Sequence, residues 1–243
     1  MHLRIKVINP TTTGVTDSET RQEFASYAFP GTEISVVHLD QGPASIECEL
    51  DDAICVPDFL NKAKQAEAEG FDAVISDCFC DPAVKAAREI LNIPIVGAAE
   101  ASMHFAASLG QRFTVVTVLQ NLVPLMENLA TQYGVDKKLA SIRNVNIPVL
   151  SLRDKKRLVN ALHREMLTAI KEDQAHVLVL GCTGMMGVAK EIEKRLKNDG
   201  YDVPVIDAVA ASLKFAESLV SMGVKHSRLT YMTPPKKARP GYP

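Results

Sequence analysis

The sequence lacks the features by which membrane, nucleic-acid-binding and disulfide-stabilised proteins are recognised. Its 243 residues carry a formal net charge of −2, and no stripe of basic and aromatic residues occurs, which argues against a nucleic-acid partner. There is no run of about 18 consecutive apolar residues, and the opening MHLRIKVINP has no signal-peptide-like stretch. We therefore expect no membrane association and a cytoplasmic location. Five cysteines, an odd number in a chain of this length, favour reduced thiols over a disulfide framework.

Strand-like and helix-like segments alternate along the chain. Hydrophobic residues make up 47 % and charged residues 23 % of the sequence, close to the average of soluble globular proteins, so we expect an ordered core. Such alternation is typical of an α/β fold whose parallel sheet is covered by helices on both faces. The predicted strands are 3–9, 33–38, 72–76, 93–96, 112–118, 140–145, 176–181 and 203–206.

An internal repeat indicates that the chain consists of two similar halves. The segment NIPIVGAAEASMHFAASLG at 92–110 reappears as DVPVIDAVAASLKFAESLV at 202–220, and LRIKVIN at 3–9 resembles QRFTVVT at 111–117. The economical fold for a duplicated chain is two pseudo-symmetric parallel-sheet α/β domains, with the active site in the cleft between them.

The repeat also predicts the extent of each domain. Residues 1–98 and the returning C-terminal segment 208–243 are expected to form the first α/β domain, and residues 99–207 the second. The tail from Thr233, TPPKKARPGYP, is rich in proline and charge, so we expect an irregular or disordered arm there.

Two cysteines occupy matching places in the two halves. Cys78 in AVISDCFCDP and Cys182 in VLVLGCTGMMG each follow an apolar strand and precede a helix-like segment. Asp81 is the predicted N-cap of the helix DPAVKAAREIL, with Pro82 at its first position. A sulfur at a helix N-terminus meets unpaired N–H groups and the positive end of the helix dipole, which favours its thiolate. The matched positions thus predict a two-thiol site, although a single free cysteine is by default a small buried hydrophobe.

Several segments resemble the hydantoin racemase family within the aspartate/glutamate racemase superfamily. They are INPTTT, CFCDPAVKAAREILNIPIVGAAEASMHFA and LVLGCTGMMG, which occur in the family's order over nearly the whole chain. The resemblance implies two pseudo-symmetric α/β domains and a reaction without a cofactor. It also implies that Cys78 and Cys182 act as acid and base from opposite faces of a small-molecule substrate. We further expect a homo-oligomer.

The chemistry of a hydantoin suits two thiols. The hydrogen at C5 lies beside a carbonyl, so its removal gives an enolate, and racemisation needs a base on one face and an acid on the other. If each sulfur approaches the carbon closely, the two sulfurs should lie roughly 6 to 7 Å apart. Backbone amides after each cysteine are suited to hold the ring carbonyls and the developing oxyanion. The predicted substrate-binding residues are Asn9, Ser76, Phe79, Cys80, Thr117, Thr183 and Gly184.

Departures from the wider superfamily favour a cyclic ureide as substrate. Amino-acid racemases of the glutamate type resemble LGCTH at the second cysteine and have an Asp-Ser pair after the first strand, whereas this chain has LGCTG, with Gly184 in place of histidine, and INPTTT. Allantoin racemases share the motifs of this chain, so allantoin stays open. Aspartate, another amino acid or maleate as substrate, and a non-enzymatic small-molecule binding module, also stay open.

The other cysteines have simpler interpretations. Cys78, Cys80 and Cys182 could in principle bind a soft metal, but their spacing is a poor match to structural zinc patterns, so we expect no metal. Cys48 and Cys55 lie seven residues apart in the helix-like stretch IECELDDAICVPDFL and are expected to pack in the core.

Overall fold

The computed structural model describes residues 2–14 and 17–239. Within these residues, eight strands alternate with eight α-helices and several single 3₁₀ turns. The strands are β1 (Leu3–Asn9), β2 (Thr32–His38), β3 (Ala73–Ser76), β4 (Ile95–Gly97), β5 (Phe113–Thr117), β6 (Leu139–Asn144), β7 (Val177–Leu180) and β8 (Val205–Ile206). The helices are α1 (Asp17–Tyr27), α2 (Glu49–Ala68), α3 (Val84–Ile90), α4 (Ala98–Leu109), α5 (Val123–Gln132), α6 (Lys155–Glu172), α7 (Ala189–Asn198) and α8 (Ala208–Ser221).

The strands form two parallel sheets with the same topology. The first has the order β2-β1-β3-β4 and the second the order β6-β5-β7-β8. The predicted α/β fold is therefore confirmed, and each predicted strand boundary lies within about two residues of the observed one. Every residue of β3, β5 and β7 is buried, as expected for interior strands that are covered on both faces.

The described residues divide into two compact units. Unit one comprises those of Met1–Ile46, Leu50–Gly97 and Ser212–Pro243, and unit two those of Glu47–Glu49 and Ala98–Ala211. Each unit contains one sheet, so the helices of each sheet pack mainly on their own strands. No helix in the described part of the chain is both long and apolar enough to span a bilayer.

The C-terminal arm of unit one is irregular and covers the edge strand β4. The guanidinium of Arg228 donates to the carbonyl oxygens of Arg88 and Glu89 at 3.0 and 3.1 Å, at the end of α3. Nε2 of His226 lies 3.0 Å from the backbone nitrogen of Ile95. These contacts give hydrogen-bond partners to backbone groups that a helix end and a sheet edge leave unpaired.

Candidate active site

Cys78 opens a tight turn at the carboxyl end of β3. The N–H of Asp77 donates to the carbonyl of Ile8 at 2.9 Å, so sheet pairing continues one residue beyond the strand. The carbonyl of Cys78 then accepts the N–H of Asp81 at 3.1 Å, three residues further on. The cysteine itself is half-buried. Its Sγ lies 3.5 Å from the backbone nitrogen of Cys80, whose N–H points at the sulfur.

The predicted start of the following helix is wrong. The helix begins at Val84 and not at Pro82, and its N-cap is Ala83, which has no side-chain cap hydrogen bond. Asp81 and Ala83 both have left-handed backbones, with φ of 52° and 60°. The side chain of Asp81 is directed at Gly97, at the end of β4, and the chain makes two left-handed steps before the helix can start. Such conformations cost of order 1–3 kcal/mol each and persist only where the surroundings enforce them.

Cys182 opens a turn of the same kind in unit two. The N–H of Gly181 donates to the carbonyl of Val116 at 2.9 Å, and the carbonyl of Cys182 accepts the N–H of Met185 at 3.0 Å. The turn is a single 3₁₀ helix, Thr183–Met185, and Cys182 is its extended N-cap. Because α7 begins only at Ala189, Cys182 does not lie at an α-helix N-terminus, contrary to the prediction.

The two cysteines therefore share one local setting. Each follows an interior strand by two residues, each is half-buried, and each accepts a hydrogen bond from the residue three positions later. Cys80 and Gly184 occupy equivalent positions two residues after their cysteine. A Cβ placed on Gly184 would lie 3.5 Å from Sγ of Cys182, so the backbone of this glycine passes close to the sulfur. Because neither cysteine lies at an α-helix N-terminus, we expect the nearby N–H groups of each turn, and not a helix dipole, to supply positive potential at the sulfur.

The polar strand-end residues differ in what their side chains contact. Asn9 ends β1 and is half-buried, and its Oδ1 accepts the hydroxyl of Thr11 at 2.9 Å. The hydroxyl of Ser76 is fully buried and donates to the carbonyl of Pro82 at 3.4 Å. The hydroxyl of Thr117, also fully buried, donates to the carbonyl of Gly181 at 3.3 Å. Ser76 and Thr117 thus each bond to the segment that carries a cysteine.

The predicted amide donors lie in turns whose side chains are anchored in the core. Phe79 and Cys80 are 2 % and 5 % exposed, and Thr183 is 8 % exposed. These side chains are buried and Gly184 has none. The two turns therefore present mainly backbone N–H and C=O groups to a ligand. Asn9, Ser76, Phe79 and Cys80 lie with Cys78 at one end of the first sheet, and Thr117, Thr183 and Gly184 lie with Cys182 at the corresponding end of the second.

A histidine–aspartate pair at the same sheet edge was missed from the sequence. His38 ends β2 in register with Asn9. Its Nδ1 lies 2.6 Å from Oδ2 of Asp17, and the two side chains are 40 % and 25 % exposed. The only sequence signal was that His38, like Asn9, closes a predicted strand. The separation of 21 residues from Asp17 gave no reason to pair them.

The remaining cysteines behave differently from Cys78 and Cys182. Cys55 is fully buried in α2, and its thiol donates to the carbonyl of Asp52 at 3.0 Å. Burial, together with the neighbouring Cys78, raises the pKa of the Cys55 thiol well above its ordinary value. Cys55 is thus packed in the core, as predicted, and it is protonated. The same prediction is wrong for Cys48, which precedes the helix and is half-buried. Among the described residues, no group of three or more His, Cys, Asp or Glu side chains is placed to hold a metal ion.

Comparison with known proteins gives these turns a family context. A model of the Asp/Glu/Hydantoin racemase family matches residues 5–216. The chain belongs to this family. The predicted resemblance is thereby confirmed, and the protein is an isomerase of the racemase class. It is 40 % identical over 237 residues to a protein named hydantoin racemase from Pseudomonas sp. (strain NS671), which covers 97 % of this chain and 93 % of that protein. It is 35 % identical to a hydantoin racemase of Rhizobium meliloti, with 99 % and 98 % covered.

Solved structures of similar proteins extend this comparison to the fold. An allantoin racemase from Klebsiella pneumoniae superposes on this racemase with a TM-score of 0.90 at 36 % identity, covering 98 % of this chain and 96 % of that one. A mutant of arylmalonate decarboxylase is 21 % identical with a TM-score of 0.68, which shows the shared fold alone.

Proposed function

We propose that this racemase inverts the C5 centre of 5-substituted hydantoins, with Cys78 and Cys182 as its two acid–base groups. The observation that carries the proposal is the matched setting of two half-buried thiols, each at the start of an equivalent turn. The names of the similar proteins from Pseudomonas and Rhizobium support a hydantoin ring as substrate. A substrate with no free carboxylate also suits two turns that present mainly uncharged backbone groups.

The proposed reaction transfers one proton from the substrate and returns another. The thiolate of one cysteine takes the C5 hydrogen and becomes a thiol, and the charge left on the ring is shared with the adjacent carbonyl oxygen. The thiol of the other cysteine then delivers its proton to the opposite face of C5 and becomes a thiolate. The product is the mirror-image hydantoin. Because the two sulfurs have exchanged protonation states, the reverse reaction runs with their roles exchanged.

The local backbone supplies the stabilisation that this step needs. The N–H of Cys80, 3.5 Å from Sγ of Cys78, is proposed to stabilise the thiolate form of that cysteine. The N–H groups of Phe79, Thr183 and Gly184 are proposed to hold the ring carbonyls and the enolate oxygen, where fixed donors lower the barrier most. This division changes the role first predicted for Cys80, because its N–H already faces a sulfur.

The strand-end residues are proposed to act in two ways. Asn9 carries a half-buried amide at the end of β1 and is the candidate for a direct contact with the ring. Ser76 and Thr117 hydrogen-bond to protein carbonyls in buried positions, so they are proposed to hold the two turns in place. His38, at the end of β2, pairs with Asp17, at the start of α1, and is a candidate for orienting residues 10–14.

Allantoin is the second candidate substrate. The likeness to solved allantoin racemases, at 36 % and 34 % identity with TM-scores of 0.90 and 0.91, favours it specifically. Allantoin is itself a hydantoin ring with a ureido group at C5, so the same two-thiol chemistry applies. Glutamate as substrate has only fold-level support, because the glutamate racemase structures are 20 % identical or less.

Polarimetry with several candidate substrates tests the function. The purified protein is incubated with one enantiomer of 5-benzylhydantoin, of 5-isopropylhydantoin, of allantoin and of aspartate. Loss of rotation without a change of mass is the expected result for at least one 5-substituted hydantoin. Loss of rotation with allantoin alone would make allantoin the substrate, and loss with aspartate alone would overturn the proposal.

Proton exchange in deuterium oxide tests the two-cysteine mechanism. Cys78→Ser and Cys182→Ser should each lose racemisation by several orders of magnitude, because a serine hydroxyl is too weak an acid to supply the base. Each variant should still exchange the C5 proton of one enantiomer, a different one in each case, without inverting it. Cys48→Ser, which changes another half-buried cysteine, is the control and should keep full activity. Equal exchange of both enantiomers by both active-site variants would contradict opposed faces.

We propose a cytoplasmic location because the cysteines are reduced. None of the five forms a disulfide in the structure, and two of them are the cysteines on which the mechanism depends. Reduced thiols persist in reducing compartments and are oxidised outside them. Full activity in buffer without reductant after prolonged exposure to air would weaken this assignment.

A further inference from the structure

The first half of α2 has an apolar face that points away from its own core. Leu50, Ala53, Ile54 and Pro57 are all exposed, Leu50 by 69 % and Ile54 by 48 %. Their spacing of three, four and seven residues places them on one side of the helix. The buried side of the same helix is formed by Cys55, Phe59, Ala63 and Ala66. We call the exposed set the α2 stripe. Contiguous exposed apolar surface of this kind marks interaction sites.

The α2 stripe lies in an acidic stretch of sequence. Residues 47–58 contain five acidic residues and no lysine or arginine: Glu47, Glu49, Asp51, Asp52 and Asp58. A surface with an apolar centre and a negative surround favours a partner with an apolar centre and a positive surround.

Unit two contains a groove with those properties. It lies between the loop after β6 and the first turns of α6, with a volume of about 600 Å³. Its floor is apolar and buried, formed by Val145, Ile147 and Ala161. Its rim carries the exposed cations Lys156, Arg157 and Arg164, of which Arg164 also pairs with Glu165 at 3.2 Å. We call this feature the α6 groove.

Two of the positive charges of the rim, on Lys156 and Arg157, lie near the N-terminus of α6, where they lower the stability of that helix. The first turn of α6 contains Lys155, Lys156 and Arg157 and no acidic residue, although the N-terminal end of a helix dipole is itself positive. Asp154, the N-cap, accepts the N–H of Arg157 at 3.0 Å and is the one carboxylate among the described residues that line the groove. A negatively charged partner would relieve this unfavourable arrangement.

We propose that the α2 stripe of one copy of this chain docks in the α6 groove of a second copy. A convex helix face with anchors at Leu50, Ile54 and Pro57 fits a concave, apolar-floored groove in the way that amphipathic helices bind grooves. The acidic surround of the stripe faces the basic rim of the groove, and this charge match within one sequence selects a second copy as the partner. The contact is heterologous, because the two surfaces differ.

Sedimentation velocity on the full chain tests this interface. The wild type should sediment as an assembly larger than the 26.5 kDa monomer, and high salt should weaken it. Ile54→Arg in the stripe, and Arg157→Glu with Arg164→Glu in the groove, should each raise the dissociation constant at least about thirtyfold. These side chains are exposed, so circular dichroism should show unchanged folding. Leu229→Arg is the matched control, because Leu229 is 92 % exposed but lies in the C-terminal arm.

Mixing the two dissociated variants gives the decisive result. The stripe variant keeps an intact groove and the groove variant keeps an intact stripe, so an equimolar mixture should form a species of twice the monomer mass. A mixture that stays monomeric would overturn the proposal, as would a monomeric wild type at all concentrations. Dissociation by Leu229→Arg, with no effect of Ile54→Arg, would assign the interface to the arm and also overturn it.

Discussion

The carboxylate of Asp81 fills the space that a side chain at Gly97 would occupy. A Cβ placed on Gly97 would lie far inside van der Waals contact with the carboxyl group of Asp81. Gly97 ends β4 in register with Ser76, two residues before Cys78. The absence of a side chain at Gly97 is therefore what allows the turn after Cys78 to close against the sheet.

In unit two the buried carboxylate lies next to the strand and not on the turn. In the repeat, Gly97 corresponds to Asp207 and Asp81 to Met185. Asp207 is buried, and its Oδ1 accepts the N–H of Val209 at 2.9 Å in the first turn of α8. A buried carboxylate thus lies at Asp207, next to the strand, in unit two and at Asp81, on the turn, in unit one.

Gly97→Ala should displace Asp81 and disturb Cys78. Overpacking of this kind costs about 2 kcal/mol of unfolding free energy, and we expect kcat to fall because the turn that carries the cysteine must move. Urea denaturation and the racemisation rate measure the two effects. Gly134→Ala is the control: its φ is 70° and no heavy atom lies within 4 Å of the added Cβ, so stability alone should fall. Equal kcat values for the two variants would contradict a link between Gly97 and Cys78.

Gly184→Ala should lower activity with little loss of stability. The added Cβ would lie 3.5 Å from Sγ of Cys182 and 3.0 Å from Cδ1 of Leu152, the mobile end of a side chain that can shift slightly. Because the methyl group narrows the space beside the proposed acid–base sulfur, kcat should fall roughly tenfold to a hundredfold. Steady-state kinetics and a thermal melt check this. An unchanged kcat would remove Gly184 from the candidate site.

Thiol labelling should separate the active-site cysteines from Cys55. Iodoacetamide should modify Cys78 or Cys182 first and abolish activity, and substrate should protect, because both residues are half-buried and the N–H groups of their turns are expected to favour the thiolate. Cys55 should stay unmodified until the protein unfolds, since it is fully buried and its raised pKa keeps it protonated. Peptide mass spectrometry gives the order. Early labelling of Cys55 with loss of activity, or inactivation by a metal chelator, would oppose this assignment.

Glu217→Ala should strongly destabilise unit one. Oε1 of this fully buried carboxylate accepts the N–H of Phe29 at 2.8 Å and the hydroxyl of Thr32 at 2.7 Å, and Oε2 lies 2.8 Å from Nζ of Lys214. Its loss leaves these donors unpaired and should cost about 3 kcal/mol, measured by urea denaturation. Glu191→Ala, which breaks an exposed pair with Arg195, is the control and should change little. Similar effects of the two substitutions would contradict the buried network.

Acid should remove the stabilising effect of Asp173. Hydrogen bonding to Arg143 lowers the pKa of this carboxyl below its ordinary value of 3.8. A lowered folded-state pKa gives stability that is present above the unfolded-state value and lost as the pH falls through the folded-state value. Asp173→Asn should therefore be less stable than wild type at pH 7, with the difference shrinking below about pH 4. Urea denaturation at both pH values measures it, and a constant difference would contradict the pairing.

The sequence by itself determined the two parallel sheets. Their strands are short apolar runs bounded by polar residues, and apolar patterning of this kind is a local property that a linear sequence carries directly. The sequence repeat likewise determined the matched positions of Cys78 and Cys182, because equivalent segments of a duplicated chain form equivalent elements.

The tertiary structure decided how the residues around the two cysteines are arranged. The motif Asp81-Pro82 has a good local helix-start signal, but packing against Gly97, 16 residues away, holds Asp81 in a left-handed conformation. His38 met Asp17 only because α1, which begins at Asp17, packs against β2. The N–H of Cys80 points at Sγ of Cys78 because of the turn that the chain makes between Cys78 and Asp81. Each of these contacts depends on backbone dihedrals set by distant neighbours, and such contacts outweigh a local propensity of about 1 kcal/mol.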